Sequence, residues 1–207
     1  MPGDSLINRS NTKVIVNLTD RSVERKLKKI TAYKHDKRQD EQPQIITFKT
    51  FGKFDILVNY QSIMNKIYRQ QGFIKLLAFF LTNQDRVFST NTIIEKVWPN
   101  KEYHNNDSVV RTQIFRLKRQ LFEMIPDLVF QLDFAHGGYF FKLEDDRVIV
   151  DTEVFQSICE RAFNEDLSLE EQLELCREAL DLYHEGFLCE EVFDGDWLLP
   201  ARQSYRM

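Results

Sequence analysis

Apolar and polar positions alternate along residues 45–59 in the pattern of a β-hairpin. The segment "IITFKTFGKFDILVN" alternates on both sides of Gly52 and Lys53, which predicts a turn at that point. The next segment, "QSIMNKIYRQQ", predicts one more short strand, and "RVFS" is short and β-prone. Further along, "LVFQL" and "GGYFFKL" predict two strands joined through Asp133 to Gly137. We therefore expect a sheet at the start of this part of the chain and a hairpin at its end.

Between these strands the apolar spacing becomes helical. Four residues of "GFIKLLAFFL" predict a buried helix of about ten residues: Ile74, Leu77, Ala78 and Leu81. The segment "STNTIIEKVW" predicts a second helix, capped by Ser89 or Thr90 and ended by Pro99. The segment "VVRTQIFRLKRQL" predicts a third helix, with Asn106 or Asp107 as its N-cap.

The third predicted helix has two unlike faces. The apolar face predicts a core contact and consists of Val110, Ile114, Leu117 and Leu121. The opposite face and its flanks hold Ser108, Arg111, Thr112, Phe115, Arg116, Lys118 and Arg119. No carboxylate interrupts that face before Glu123. Arginine binds guanine edges and phosphates, and an α-helix fits the major groove. The face is therefore consistent with DNA binding, and an ordinary solvated surface is the alternative.

The two ends of the chain differ from this central part. Residues 1–44 predict an arm with a short strand in "KVIVNL", a short helix in "TDRSVERKLKKITAY" and a polar linker. After "LEDDRVIV" the pattern is helical over 152–164 and 168–184. Ser168 and Glu171 have the spacing of a capping box. The short connection between these helices predicts an antiparallel pair.

Charge divides the chain into a basic and an acidic part. The net charge of the 207 residues is -4, but residues 45–143 carry +5 and residues 144–207 carry -13. A basic block of this kind suggests a polyanionic partner, and two solvated surfaces of opposite sign are the alternative. The hydrophobic fraction of 43% predicts a globular protein. Without an apolar span or a signal-peptide pattern, we expect a cytoplasmic protein that has no membrane partner.

The residue types of enzymes and metal sites occur without the spacing that those sites need. The three cysteines include no short-spaced pair, and the four histidines show no metal-binding pattern. Neither a phosphate-binding glycine loop nor a nucleophile motif occurs. The acidic pairs Asp145-Asp146 and Glu170-Glu171 lie at a linker and at a helix start, where we expect solvation or a favourable helix dipole. We therefore expect no enzyme activity, no catalytic residue, no metal and no cofactor.

Three motifs in the middle of the chain resemble one family. "STNTIIEKVW", "VVRTQIFRLKRQL" and "HGGYFFKL" occur in the order, and with the residues, of the OmpR/PhoB-type winged-helix domain. The resemblance covers residues 45–143. It implies an α+β winged helix-turn-helix domain with an N-terminal antiparallel sheet. It also implies double-stranded DNA as the partner, with the recognition helix in the major groove.

The resemblance implies roles for single residues. Arg116 corresponds to an arginine that enters the major groove, and Thr112 and Gln113 correspond to positions in or near the groove. Lys118 and Arg119 correspond to phosphate contacts. The expected DNA-binding set is completed by Ser108, Arg111, Phe115, and the wing residues His136 and Gly137. Two departures leave the preferred DNA sequence open: the family commonly has a polar or basic residue at the Phe115 position, and no arginine precedes the wing glycines.

The acidic part has a likeness of its own. "VDTEVFQSICERAF" and "CREALDLYHEGFLCEEVFDGDWLLPARQSYRM" resemble the start of the bacterial transcriptional activation domain of SARP-type regulators. The resemblance implies an all-α, TPR-like segment that is shorter than the family domain. The chain is then either a minimal version or a fragment of a longer regulator.

We therefore expect three parts: an arm and linker (1–44), a winged-helix DNA-binding domain (45–143) and a partial activation domain (144–207). The expected function is sequence-specific DNA binding by a transcriptional regulator that activates. RNA polymerase and a second copy bound to repeated half-sites are further partners to consider. The alternative is a protein–protein interaction module that uses the winged helix and the TPR-like helices without binding DNA.

Overall fold

The computed structural model describes five stretches of the chain: 44–64, 71–183, 186–188, 193 and 195–205. The arm predicted for residues 1–44 lies outside the described residues except for its last position. All described residues belong to one compact unit. Within them, no helix is long and apolar enough to cross a membrane.

The described residues form six strands and six helices. The strands are β1 (Ile46–Lys49), β2 (Asp55–Val58), β3 (Gln61–Ser62), β4 (Phe130–Ala135), β5 (Gly138–Leu143) and β6 (Val148–Val150). The helices are α1 (Gln71–Thr82), α2 (Thr90–Val97), α3 (Asn106–Met124), α4 (Asp151–Ala162), α5 (Leu169–Tyr183) and α6 (Leu198–Ser204). This is the expected winged-helix order followed by helices.

The first sheet has four strands in the order β3-β2-β1-β6. Ile46 lies opposite Val58 in the antiparallel β1–β2 pair, which confirms the hairpin predicted around Gly52. Strand β6 lies parallel to β1, with Ile46 aligned with Val148. The sheet is thus mixed rather than antiparallel throughout. The sequence did not predict β6, because a strand of three residues has too few positions to show alternation.

Helix α1 lies in the core. Eight of its twelve residues are buried, since it packs against α2, α3 and β5. Contact on several sides explains why its surface is apolar almost all round and confirms the predicted buried helix. Helix α3 packs through the face predicted for it, whose buried residues are Val110, Ile114, Leu117 and Leu121.

A partly buried ion pair joins the start of β6 to the loop after α3. Asp145 is 7% exposed and accepts hydrogen bonds from Arg147, 2.7 Å from Nη2 and 2.9 Å from Nε. The Nη1 atom of Arg147 lies 2.7 Å from Asp127. Arg147 lowers the pKa of Asp145 to about 2. The expectation that Asp145 is a solvated linker acid is wrong, because the chain turns into β6 there and packs its carboxylate beside Arg147.

The acidic part packs directly on the winged helix. Helices α4 and α5 pack against each other as the predicted pair, and α4 contacts β1 and β6. The capping box of α5 is confirmed: the Ser168 N–H donates to Glu171 Oε2 at 2.9 Å, and the Glu171 N–H donates to Ser168 Oγ. Trp197 lies edge-on to Phe79 of α1, with ring centroids 5.4 Å apart. Aromatic contacts of this kind tie the region after α5 to the core.

Candidate nucleic-acid interface

The starts of α2 and α3 are fixed to each other by side-chain hydrogen bonds. Thr90 Oγ1 donates to Asp107 Oδ1, and Asn106 Nδ2 donates to Asn91 Oδ1 at 2.9 Å. Ser89 caps α2, as predicted, by accepting from the Thr92 N–H. The two helices of the helix-turn-helix are therefore held together at their N-terminal ends.

The N-cap of α3 is Asn105, whose side chain accepts a hydrogen bond from the Ser108 N–H at 2.9 Å. The prediction of Asn106 or Asp107 as the cap is wrong by one or two positions. The three adjacent polar residues are equally suitable by type. The contacts of Asn106 and Asp107 with α2 use their side chains and leave the cap to Asn105.

The outward face of α3 is exposed where the sequence predicted it. Ser108, Arg111, Thr112, Arg116 and Arg119 are all exposed. Phe115 lies among them with 65% of its surface accessible. A single exposed ring is ordinary, so Phe115 suggests a contact surface only through its position among the exposed Arg111, Thr112 and Arg116. Phe122, two turns further along, is also exposed, at 63%.

The four cations of this face differ in what surrounds them. Lys118 Nζ lies 2.9 Å from Asp133 Oδ1 on β4, and Arg119 Nε lies 2.7 Å from Glu123 Oε1. The hydrogen bond that Arg119 donates to Glu123 raises the pKa of Arg119. Among the described residues, by contrast, Arg111 and Arg116 have no hydrogen-bond or ion-pair partner. Exposed ion pairs are weak, so a phosphate can replace the carboxylates at small cost.

Thr112 and Gln113 lie in different settings. The Thr112 hydroxyl donates to the Ser108 carbonyl at 2.8 Å, so its proton is used within the helix and its methyl group and lone pairs are left for a partner. Gln113 is half-buried and lines, together with Arg116, a groove of about 190 Å³ between α1 and α3. Gln113 therefore lies towards α1 rather than at the centre of the outward face.

The wing is a tight hairpin. Strand β4 continues through Ala135, and β5 begins at Gly138, so only His136 and Gly137 form the turn. Both have positive φ, 52° and 81°, as a type I′ turn requires. The predicted connection from Asp133 to Gly137 is wrong, because Asp133 pairs with Phe140 within the sheet. His136 and Gly137 are exposed at the tip.

The base of the wing is attached to the strand-like segment before α2. Phe88 and Tyr139 exchange two backbone hydrogen bonds of 2.9 and 2.8 Å. A Cβ on Gly138 would lie 2.4 Å from the Phe88 carbonyl oxygen. The backbone approach thus excludes any side chain at this position. The same approach fixes the position of the wing relative to α2 and α3.

The structure thus brings two groups of expected residues to one surface. The outward face of α3 forms the first group and the wing turn forms the second, and the Lys118–Asp133 contact lies between them. Asp133 was not among the predicted site residues. Its acidic type does not suggest a DNA-binding surface, and no sequence pattern relates it to Lys118. Among the described residues, no group of three or more potential metal ligands occurs.

Comparisons with known proteins agree with this fold. Residues 65–131 match the model of a family described as "Transcriptional regulatory protein, C terminal". The match includes α1, α2, α3 and the start of β4. No curated protein sequence matches the chain.

A solved structure has the same fold. It is that of Mycobacterium tuberculosis EmbR in complex with a low-affinity phosphopeptide, with a TM-score of 0.58 and 14% sequence identity. The similarity covers 78% of the present chain and 42% of the EmbR chain. The chain therefore spans less than half the length of that relative. At this identity the likeness supports the fold, and it extends beyond the residues matched by the family model.

Proposed function

We propose that the transcriptional-regulator domain identified at residues 65–131 binds double-stranded DNA by placing α3 in the major groove. The observation that carries this proposal is the outward face of α3, where Arg111, Thr112, Phe115 and Arg116 are exposed together. Arginine can bind guanine edges in two places at once, and threonine and phenylalanine can contact the thymine methyl group. The wing turn then meets the neighbouring backbone, with His136 and Gly137 nearest to it.

The charge distribution supports the same docking. Arg111 and Arg116 are without partners among the described residues, so they can bind phosphates or bases without first breaking an ion pair. Lys118 and Arg119 can add phosphate contacts by exchanging their carboxylate partners. Of the acidic helices, α4 contacts β1 and β6, and α5 packs on α4. The face of α3 remains accessible to a polyanion.

In this proposal the chain acts as a sequence-specific regulator that activates transcription. In this proposal RNA polymerase is contacted by the acidic part, and two copies bind repeated half-sites. Selection of binding sites from a random DNA pool tests the sequence specificity and the binding of two copies. A single recovered site without a repeat would contradict binding by two copies, and the absence of any enriched sequence would contradict sequence specificity.

The primary test is fluorescence anisotropy with a labelled random duplex at two salt concentrations. Neutralisation of about four to six phosphates predicts that log K falls against log salt with a slope of about -4 to -5. The class-level alternative, a protein-interaction module, predicts no binding at low salt. A double variant, Arg111→Gln with Arg116→Gln, is compared with a Lys75→Gln control on α1. Weaker binding by the double variant alone would assign the binding to the α3 face. Failure of the wild type to bind at low salt would overturn the proposal.

A further inference from the structure

Helix α5 carries a row of exposed leucines that the fold does not use. Leu169, Leu173 and Leu180 are 71%, 50% and 55% exposed. At 100° per residue these three positions lie within about 40° of one another, and they extend along about 17 Å of the helix. We call them the α5 stripe. Only Leu175 and Ala179 of this helix are buried.

The α5 stripe is adjacent to the contact between α4 and α5. Cys176 lies on the same angular row and is half-buried, and Cys159 of α4 is half-buried too. At the turn after α4, Phe163 is 77% exposed. The exposed leucines therefore form one side of an apolar surface that continues towards α4. Scattered exposed leucines are ordinary, but a contiguous row marks an interaction surface.

Acidic residues border this surface. Helix α5 has five carboxylates, Glu170, Glu171, Glu174, Glu178 and Asp181, and one base, Arg177. By helical geometry Glu170, Glu174 and Asp181 lie on the side of the stripe away from α4. The Arg177 side chain lies 3.3 Å from Glu174 and both are well exposed. An apolar row with an acidic border fits a ligand that has an apolar row with a basic border.

We propose that the α5 stripe binds an amphipathic basic helix of a partner protein. The partner helix would place apolar residues at i, i+4, i+7 and i+11 on the leucines and its Lys or Arg side chains on the acidic border. This is the helix-in-groove mode of recognition. The inference goes beyond DNA binding, because it concerns a surface in the acidic part of the chain and a different class of ligand.

Charge disfavours two other occupants. A second copy that docked through its own α5 would set one acidic helix against another, and like charges across an interface oppose association. A membrane surface with anionic lipids would repel the same carboxylates. The basic helix is the occupant whose charge and apolar spacing both match the α5 stripe.

The test uses the full chain and a fluorescent synthetic helix made of Leu and Lys, with Leu at i, i+4, i+7 and i+11. A peptide of the same composition in scrambled order, and one with Glu in place of Lys, serve as ligand controls. We expect anisotropy to show binding of the Leu/Lys peptide at least about tenfold tighter than either control. Equal binding of the Leu/Lys and Leu/Glu peptides would overturn the charge argument.

Variants of the chain locate the binding. Leu173→Asp should weaken binding of the Leu/Lys peptide by at least about tenfold, as for a residue at the centre of an interface. The double change Glu170→Lys and Glu174→Lys should weaken it at least about fivefold and remove its salt dependence. Leu199→Asp is the matched control, because Leu199 is 56% exposed on α6, outside the stripe; it should have no effect.

Two further measurements separate the possible failures. Circular dichroism melts of Leu173→Asp and of the milder Leu173→Gln show whether a loss of binding comes from unfolding; loss in both with unchanged melting supports the site. Sedimentation of the wild type tests the second-copy alternative. A dimer that Leu173→Asp dissociates would overturn the proposal. DNA binding by these variants should equal that of the wild type. A failure of peptide binding at the α5 stripe is therefore distinguishable from a failure of DNA binding, the proposed function.

Discussion

The carboxylate of Asp151 accepts hydrogen bonds from both the backbone N–H and the hydroxyl group of Thr50, a residue 101 positions earlier in the chain. The same carboxylate accepts from the N–H of Phe51 at 2.8 Å. Burial raises the pKa of Asp151, while these donors act in the opposite direction. Asp151 is the first residue of α4 and follows β6, so it joins the acidic part to the end of β1. The two parts share one hydrogen-bonded core.

Replacing Asp151 by Ala should therefore destabilise the winged helix as well as α4. The buried N–H groups of Thr50 and Phe51 would lose their acceptor, which should lower the free energy of unfolding by about 2–4 kcal/mol. Urea unfolding followed by tryptophan fluorescence measures this loss. Asp146→Ala is the matched control, since Asp146 is exposed. Equal stability of the two variants would contradict the role of Asp151.

The Asp145–Arg147 pair predicts a specific dependence of stability on pH. The folded-state pKa of Asp145, about 2, is below the ordinary value of 3.8. A lowered pKa contributes stability above pH 3.8, and that stability is lost as the pH falls towards 2. The loss should amount to about 2 kcal/mol. Thermal melts of the wild type and of Asp145→Asn between pH 5 and pH 2 test this, with pH 2–4 the predicted window. The two proteins should differ in slope there, and parallel curves would show that Asp145 does not titrate in this range.

Arg116→Ala should reduce affinity for the best DNA site by about 1–3 kcal/mol, because a base-edge contact is lost. Affinity for random duplex should fall much less. Lys118→Ala, in comparison, should weaken binding to all sequences alike, as expected for a phosphate contact. Anisotropy titrations with the selected site and with random duplex separate the two effects. Unchanged binding of the best site by Arg116→Ala would refute the proposed docking.

Asp133→Asn should strengthen DNA binding. Asp133 holds Lys118 at 2.9 Å, and its removal deletes a negative charge beside the proposed interface and releases the lysine. Binding to random duplex should tighten, and the salt slope should become steeper by about one unit. Asp127→Asn provides a comparison, because Asp127 is an exposed acid paired with Arg147 before the start of β4, at the end of the hairpin opposite the wing turn. Weaker binding by Asp133→Asn would indicate that DNA binds at a surface other than α3 and the wing.

Phe115→Ala should reduce specific affinity without lowering stability. The side chain is 65% exposed, so its loss leaves no cavity in the core. If it contacts a thymine methyl group, the selected site should bind about tenfold more weakly, and replacing that thymine by uracil should have the same effect. Phe122→Ala removes an equally exposed ring two turns away and should leave DNA affinity unchanged. A change in sedimentation for Phe115→Ala, with unchanged DNA affinity, would assign Phe115 to a contact between copies.

The sequence by itself determined the features that depend on local spacing. The two faces of α3 follow from its helical period, and the structure buries Val110, Ile114, Leu117 and Leu121 as that period requires. The capping box of α5 is equally local, because Ser168 and Glu171 satisfy each other within one turn. The family resemblance added the order of elements around α3. The fold and the expected regulator class followed from these features.

Only the tertiary structure decided the contacts between distant parts. The pairing of β6 with β1 and the link from Asp151 to Thr50 join positions about a hundred residues apart. The burial of Asp145 depends on the turn that packs its carboxylate beside Arg147 and the N–H of Val129. The Lys118–Asp133 pair and the choice of Asn105 as cap depend on neighbouring elements in space. Hydrophobic periodicity records which face of an element is buried but not which element covers it. Packing therefore determines which ion pairs form, which short strands pair in parallel and which of several similar residues caps a helix.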